Sequence, residues 1–379
     1  MFRRFISYFL VILVFLGTAL VAYAAEPAGG YARSAVVLDA ATGKVLYEHE
    51  PYERLGMAST TKIMTGICGI EYGDLDSEVT ISNHAAGVEG SSMYLEAGEK
   101  ISLYDVICGL MLVSGNDAAT AVAEAVSGSE GGFVLLMNQK VHEIGAFNTC
   151  FQNPHGLSEE GHYTTAYDLA KITAYALKNP VFAEIVSQKS MTAESISGKR
   201  RQLVNHNKLL KLYDGCIGVK TGFTKAAGRC LVSAAQRDGL KLICVTLNDG
   251  NDWNDHIAML DKGFLSYTAR PLTEKGKTLA KAKVLGGTEK KVSLIAENDE
   301  TIAVKNGENP RISISVDENI ELEAPIKKGE VCEKADVLED GEKVGEINLV
   351  AAEDVPLKKG EKAGENKKGF FDWFFSIFN

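Results

Sequence analysis

Apolar and polar positions change period several times along the chain, and each change marks an element. The chain begins with an apolar run from Phe5 to Val21, broken only by Ser7, Gly17 and Thr18 and preceded by Arg3 and Arg4. Ala22-Tyr23-Ala24 closes the run in the small-x-small pattern of a signal-peptidase site, so residues 1–24 read as a secretory signal, with an uncleaved anchor as the rival. Ser34–Asp39 and Lys44–Glu48 are short β-rich runs on either side of an Ala40–Gly43 turn, the pattern of a hairpin. The period then becomes helical. Ile63, Met64, Ile67 and Ile70 line a helix that carries Ser59 and Lys62 and reaches about Glu71. Val106, Ile107, Leu110 and Val113 follow a Ser102–Asp105 capping box. Alanine-rich sequence from Asp117 to near Gly128, then Gly132–Ile144 and Thr165–Leu177, continue the helical stretch, and Asn179-Pro180 breaks it. Strand character returns in Ile217–Phe223, Cys230–Ala235 and Lys241–Leu247, with Arg237-Asp238-Gly239 as a hairpin turn, before a last helix at Trp253–Phe264.

Strands at both ends of this segment with helices between them imply an α+β fold. An antiparallel sheet, covered by helices on both faces, is expected over residues 25–270. From Pro271 the helical period is gone and short alternating runs such as Arg311–Val316 take over, so residues 271–355 read as a small all-β domain, with a hairpin at Asp340-Gly341. Residues 356–368 form a polar linker rich in lysine and glycine. Residues 369–379 place Asp372, Ser376 and Asn379 on one helical stripe and aromatics elsewhere. That is too short to span a bilayer and suits a helix lying in a membrane interface, with the preceding lysines toward anionic headgroups. A tail helix docked on the protein is the alternative.

Composition narrows the class. A 379-residue chain that is 45% hydrophobic can bury one large core and a smaller second one. A formal net charge of -10 argues against a nucleic-acid partner, which wants a basic patch. Seven widely spaced cysteines are an odd number and no disulfide framework, and no C-x-x-C or histidine pairing suggests zinc. Most sit among apolar residues and read as buried small hydrophobes.

Three short motifs carry candidate chemistry. Ser59 and Lys62 stand three apart, on one face of a helix start, so the lysine amine can reach the hydroxyl. A serine needs a base to become a nucleophile, and a lysine serves as one only when burial or a nearby positive charge holds it neutral. Free N–H groups at the helix start suit a developing oxyanion. Ser114-Gly115-Asn116, at a junction between helices, offers a hydroxyl to relay a proton and an amide to hold Lys62 and a substrate amide; plain capping is the bland reading. Lys220-Thr221-Gly222, in a strand, offers a charge that lowers the Lys62 pKa and draws an anionic substrate end, a hydroxyl for a carboxylate, and a glycine that lets backbone approach a ligand. An exposed lysine beside a bulge glycine is the bland reading. Each motif alone is weak, while the ordered set is specific.

With these three motifs, Glu89-Gly-Ser-Ser-Met93, Asn153-Pro-His-Gly-Leu157, His162-Tyr-Thr-Thr-Ala166 and Gly218–Gly222, the sequence resembles the serine-type D-alanyl-D-alanine carboxypeptidases, the low-molecular-mass penicillin-binding proteins, from about Tyr31 to Tyr267. The resemblance implies a β-lactamase/transpeptidase-like fold. It implies Ser59 as the nucleophile toward the terminal D-Ala-D-Ala bond of a peptidoglycan stem peptide, Lys62 as base and Ser114 as proton relay. Asn116, Lys220, Thr221, Gly222 and Phe223 would bind substrate, and the N–H groups of Ser59 and Phe223 would form the oxyanion hole. It further implies no cofactor, β-lactams as inhibitors, a role in cell-wall biogenesis, and a location outside the cytoplasmic membrane, at its outer face or the wall. A β-lactamase, a D,D-endopeptidase or a non-catalytic wall-binding protein remain as alternatives. No Glu-x-x-x-Asn motif of the β-lactamase kind lies between Asn116 and Lys220. Some relatives hold the substrate carboxylate with an arginine after the last core strand, where this chain has Asn248–Trp253; Arg229 is nearby in sequence. His155 and His162 read as structural.

Overall fold

The computed structural model describes residues 30–359. The signal segment expected at 1–24 and the tail helix expected at 369–379 lie outside the described residues, as does most of the expected linker. The hairpin β1 (Ala32–Asp39) and β2 (Val45–His49) is present, and a 3-10 turn, Ala58–Thr61, runs into α1 (Lys62–Tyr72). The helix proper therefore starts at Lys62, and Ser59 sits one turn ahead of it rather than on it. A ribbon of β3 (Glu78–Thr80) and β4 (Lys100–Ser102) encloses the short α2 (Asn83–Ala86). The helical layer is α3 (Leu103–Leu112), α4 (Asn116–Ser127), α5 (Glu130–Ile144), α6 (Ala166–Ala176) and α7 (Pro180–Ser187). The ribbon β5 (Ser190–Glu194) and β6 (Arg200–Val204) and the turn of helix α8 (Leu209–Leu212) lead to three long strands, β7 (Cys216–Thr224), β8 (Gly228–Arg237) and β9 (Leu240–Asp249), and to α9 (Asp252–Ser266).

The elements between Pro180 and Cys216 had no counterpart in the periodicity. The reason is local for α7: Asn179, which stops one helix, also starts the next. Its Oδ1 accepts hydrogen bonds from the N–H groups of Val181 and Phe182 at 3.0 and 3.2 Å, and Pro180 occupies the first helical position. The Ser102 cap behaves as expected, with Oγ accepting from Asp105 N at 3.1 Å.

The five-stranded sheet has the order β2-β1-β9-β8-β7, all antiparallel, so the N-terminal hairpin closes one side and β7 is the other edge. The turn between β8 and β9 puts Asp238 and Gly239 at φ 48° and 81°, the left-handed pair a two-residue hairpin requires. One sheet face packs on the helical layer through Val36, Leu38, Val232, Ile243 and Val245. The other packs on α9 through Val37, Leu231, Leu242, Met259 and Leu260. Helix α1 runs through the middle of the first core and is buried without a break from Lys62 to Ile70, so every face of it is packed, its polar Lys62 and Thr65 included. Its glycines make room for neighbours: a Cβ on Gly69 would sit 2.8 Å from Val122 Cγ1 and one on Gly66 would sit 3.0 Å from Met111 Sδ.

Beyond α9 the chain enters β10 (Tyr267–Thr273), β11 (Thr278–Leu285), β12 (Lys291–Ala296), β13 (Glu300–Lys305), β14 (Ile312–Ser315), β15 (Glu321–Glu323), β16 (Val331–Glu339) and β17 (Glu342–Ala351). Six of these form a sheet ordered β14-β16-β17-β12-β11-β15, and β10 pairs with β13. Their inward residues, among them Val292, Leu294, Ile302, Val337, Ile347 and Leu349, make a core of their own. The two bodies touch where the β1–β2 turn meets β13 and β17. Ala303 N donates to Asp39 Oδ2 at 3.1 Å, and Glu346 N donates to Thr42 O at 2.8 Å.

Candidate active site

The site forms where the 3-10 turn, the α3–α4 junction, the edge strand β7 and the loop 153–162 meet. In a 3-10 turn, positions three apart eclipse, which stacks Ser59 over Lys62. Ala58, just before Ser59, has φ 47°, a left-handed conformation that alanine adopts at a cost of about 1 kcal/mol.

Lys62 is fully buried, and its Nζ lies 3.0 Å from Ser59 Oγ, 2.7 Å from Asn116 Oδ1 and 2.5 Å from the His155 carbonyl oxygen. These partners define what the amine can do. Two of them are carbonyl oxygens, which only accept. A neutral amine has two hydrogens and one lone pair, so both hydrogens go to Asn116 and His155, and the lone pair is left facing Ser59. The serine hydroxyl then donates to Lys62 Nζ. The neutral state is favoured first by burial, which holds the Lys62 pKa far below the ordinary lysine range, and second by the positive charge of Lys220; Asp117 opposes both. Of the two causes expected from the sequence, burial thus outranks the second lysine.

Ser114 and Asn116 flank Gly115 at the junction of α3 and α4, and both are buried. Ser114 takes φ 61°, so the junction is turned sharply between the two helices. The Asn116 amide is oriented by its other end: Nδ2 donates to the Glu89 carbonyl at 2.6 Å, which leaves Oδ1 for Lys62.

Lys220 lies on β7 and is 1% exposed. Its Nζ donates to the Thr221 carbonyl at 3.0 Å, and burial lowers its pKa to about 7. Thr221 and Gly222 are half-buried, and Phe223 is exposed. Gly222 lies against the turn: a Cβ there would stand 3.0 Å from Ser59 N and 3.1 Å from Met57 O. The glycine is thus explained by close approach of β7 to the Ser59 backbone. Among the described residues, no cluster of three or more His, Cys, Asp or Glu could hold a metal. Cys68, Cys108, Cys230 and Cys244 are buried thiols. Arg229, opposite Phe223 in the β7–β8 register, is engaged elsewhere: Nε and Nη2 donate to Asp252 at 3.0 and 2.9 Å.

What the sequence did not reveal is the contact that the loop 153–162 makes with Lys62. Both ends of the loop stand among the motifs that carry the family resemblance, but His155 contributes its main-chain carbonyl, a group with no side-chain signature. Gly156 has φ 88°, and a Cβ there would fall 2.0 Å from Ala58 O, so the loop presses directly on the turn that bears Ser59. His162 Nδ1 accepts from Gln152 N at 3.0 Å, so the neutral ring carries its proton on Nε2, 2.8 Å from Thr61 Oγ1. Burial keeps both histidines neutral, with pKa values lowered to about 4. A cavity of about 230 Å³ adjoins the turn, lined by Met57, Ala58, Gly156, Ser158, Glu159 and His162 among others.

Comparison with known proteins gives the family of the chain. Residues 22–251 match the family model of peptidase family S11, described as D-alanyl-D-alanine carboxypeptidase. The chain belongs to the D-alanyl-D-alanine carboxypeptidase family. Residues 267–364 match the model described as penicillin-binding protein 5, C-terminal domain. The D-alanyl-D-alanine carboxypeptidase DacF of Bacillus subtilis is 37% identical over 353 residues, covering 90% of each chain. DacC of Escherichia coli is 33% identical over 341 residues, covering 86% of this chain and 84% of the relative. Among solved structures, penicillin binding protein 5 from Haemophilus influenzae superposes with a TM-score of 0.65 at 31% identity, covering 86% of this chain and 98% of that one. The α+β catalytic body and separate all-β body agree with that neighbour. This carboxypeptidase is therefore a serine-type hydrolase of D-Ala-D-Ala ends in peptidoglycan and a penicillin-binding protein. No helix among the described residues is long and apolar enough to cross a membrane.

Proposed function

We propose that Ser59 is the nucleophile of this carboxypeptidase, that Lys62 is its general base and that Ser114 relays the proton. The observation that carries the reading is the buried Lys62 amine, whose Nζ lies 3.0 Å from Ser59 Oγ, 2.7 Å from Asn116 Oδ1 and 2.5 Å from the His155 carbonyl oxygen. Ser59 Oγ attacks the carbonyl carbon of the penultimate D-alanine while its proton passes to Lys62 Nζ. The oxyanion that forms is received by the N–H groups of Ser59 and Phe223. The proton moves through Ser114 to the amide nitrogen, the C–N bond breaks, and D-alanine leaves. Water then attacks the ester on Ser59 and releases the shortened stem peptide. Asn116 binds the substrate amide through its side chain, and Lys220 with Thr221 binds the terminal carboxylate, with Gly222 letting the strand approach. No cofactor enters these steps.

The same proposal covers location. The apolar leader and the amphipathic tail support export and attachment to the outer face of the membrane, with the β domain holding the catalytic body toward the wall. The test of the site is Ser59→Ala. It should abolish both D-alanine release and labelling by a fluorescent penicillin, while mass spectrometry of wild type finds the adduct on Ser59. Undiminished labelling of the variant refutes the assignment.

A further inference from the structure

Glu89–Leu95 crosses the mouth of the α3–α4 junction as a strap, and one carboxylate gathers it. Asp117 is 1% exposed and accepts four hydrogen bonds. Oδ1 takes the N–H groups of Met93 at 3.1 Å and Ala118 at 2.9 Å; Oδ2 takes the Ser92 hydroxyl at 2.6 Å and Leu95 N at 3.0 Å. The strap is pinned further by Met93, 2% exposed, whose Sδ would lie 2.1 Å from a Cβ on Gly109. At its other end the strap meets the site: Ser91 O accepts from Asn116 N at 2.6 Å, and Glu89 O accepts from Asn116 Nδ2 at 2.6 Å. Gly90 lies between, at φ 98°, where a Cβ would come within 2.7 Å of Asn116 Nδ2.

We propose that Asp117 is a positioning residue for the reaction, holding the 89–95 strap so that the Glu89 carbonyl fixes the Asn116 amide and thereby aims the Lys62 lone pair at Ser59. The inference rests on the reading of Lys62 as the base. Without the strap the amide is free to flip. Its NH₂ would then donate to the Lys62 lone pair and draw it away from the serine.

The carboxylate also acts through space. The charged and titratable groups that face Lys62 are Lys220 from β7, Asp117 from α4, and His155 and His162 from the loop. Both histidines are neutral above pH about 4. Asp117 is the one of these that favours the ammonium form. Removing its charge makes Lys62 easier to deprotonate, so the acid limb of the acylation profile moves to lower pH. A residue that merely stabilised the fold would leave that limb in place.

The experiment measures the second-order acylation rate of the full chain by a fluorescent penicillin across pH. In Asp117→Asn, with its fold checked by circular dichroism and melting, the optimum rate should fall about 10- to 100-fold. The acid limb should move down by roughly half to one pH unit. Ser92→Ala keeps the charge and loses one strap bond; its rate should fall several-fold with the acid limb unmoved. A folded Asp117→Asn that acylates at the wild-type rate overturns the proposal, and so does a rate loss in that variant with no movement of the limb. If Asp117→Asn does not fold, a wild-type rate in Ser92→Ala overturns it. Lys62→Ala separates the two levels. Lost acylation there alongside a wild-type Asp117→Asn refutes the strap alone; retained acylation there refutes the base assignment and the strap with it.

Discussion

Gly222→Ala is a small perturbation with a sharp expected result. The added Cβ would stand 3.0 Å from Ser59 N, 3.1 Å from Met57 O and 3.1 Å from Thr60 N, all main-chain atoms that cannot swing away as a side-chain tip can. Gly222 is not among the residues with positive φ, so alanine meets no backbone strain of its own there. Relief must come from separating β7 and the 3-10 turn by about 0.3–0.5 Å, enough to restore ordinary van der Waals contact. A misplacement of about 1 Å can cost 10²-fold in rate, so this shift alone costs on the order of tenfold, or ~1.4 kcal/mol of transition-state stabilisation. The methyl also crowds the Ser59 N–H, one proposed oxyanion donor, and losing such a donor costs about 10²–10³-fold. The variant should acylate with penicillin at least tenfold more slowly than wild type, with D-alanine release falling in step. Overpacking costs about 1–3 kcal/mol, so the melting temperature should fall by about 2–10 °C. Acylation within twofold of wild type would refute the claim that β7 and the Ser59 turn are held at contact distance for catalysis.

Two further outcomes follow from buried lysines. Lys220 carries a pKa lowered to about 7 by burial, so it is cationic below that pH and loses its charge as pH rises through it. For a stem peptide with a free terminal carboxylate, kcat/KM should therefore decline above pH ~7, since this parameter reports free-enzyme pKa values, whereas an analogue amidated at that end should show no such decline. Equal profiles for the two substrates would remove Lys220 from carboxylate recognition. Lys140, 6% exposed, has Glu71 at 3.0 Å and Glu143 at 2.7 Å and sits over the Tyr72 ring at 4.9 Å, remote from the proposed chemistry. Lys140→Met should destabilise the fold by about 2–3 kcal/mol, below the full cost of breaking a buried pair because Glu143 is partly exposed, and should lower the melting temperature by roughly 5–10 °C with penicillin acylation unchanged. An unchanged melting temperature would contradict that account.

Much of the fold was legible in one dimension because its signals are local. The helical stripe after Ser59, the Ser102 cap and the Asp238-Gly239 and Asp340-Gly341 turns depend on neighbours within a few residues, and the structure places them as read. The elements between Pro180 and Cys216 were not legible, since Asn179-Pro180 reads equally as a stop and a start. The boundary at Ser59 was missed for a related reason: a 3-10 turn and the first turn of an α-helix share one sequence pattern.

Residue type and order alone determined which side chains could do the chemistry: a serine and a lysine three apart, a Ser-Gly-Asn, a Lys-Thr-Gly. Tertiary structure decided what those side chains are. The amine can only be neutral because the turn is buried under loop 153–162 and faces Lys220, which enters from the opposite edge of the chain's order. Its lone pair has a direction only because two carbonyl oxygens, on Asn116 and on the His155 backbone, claim its hydrogens. Burial and main-chain acceptors belong to three-dimensional packing, and no pattern of residue types along a chain encodes either one directly.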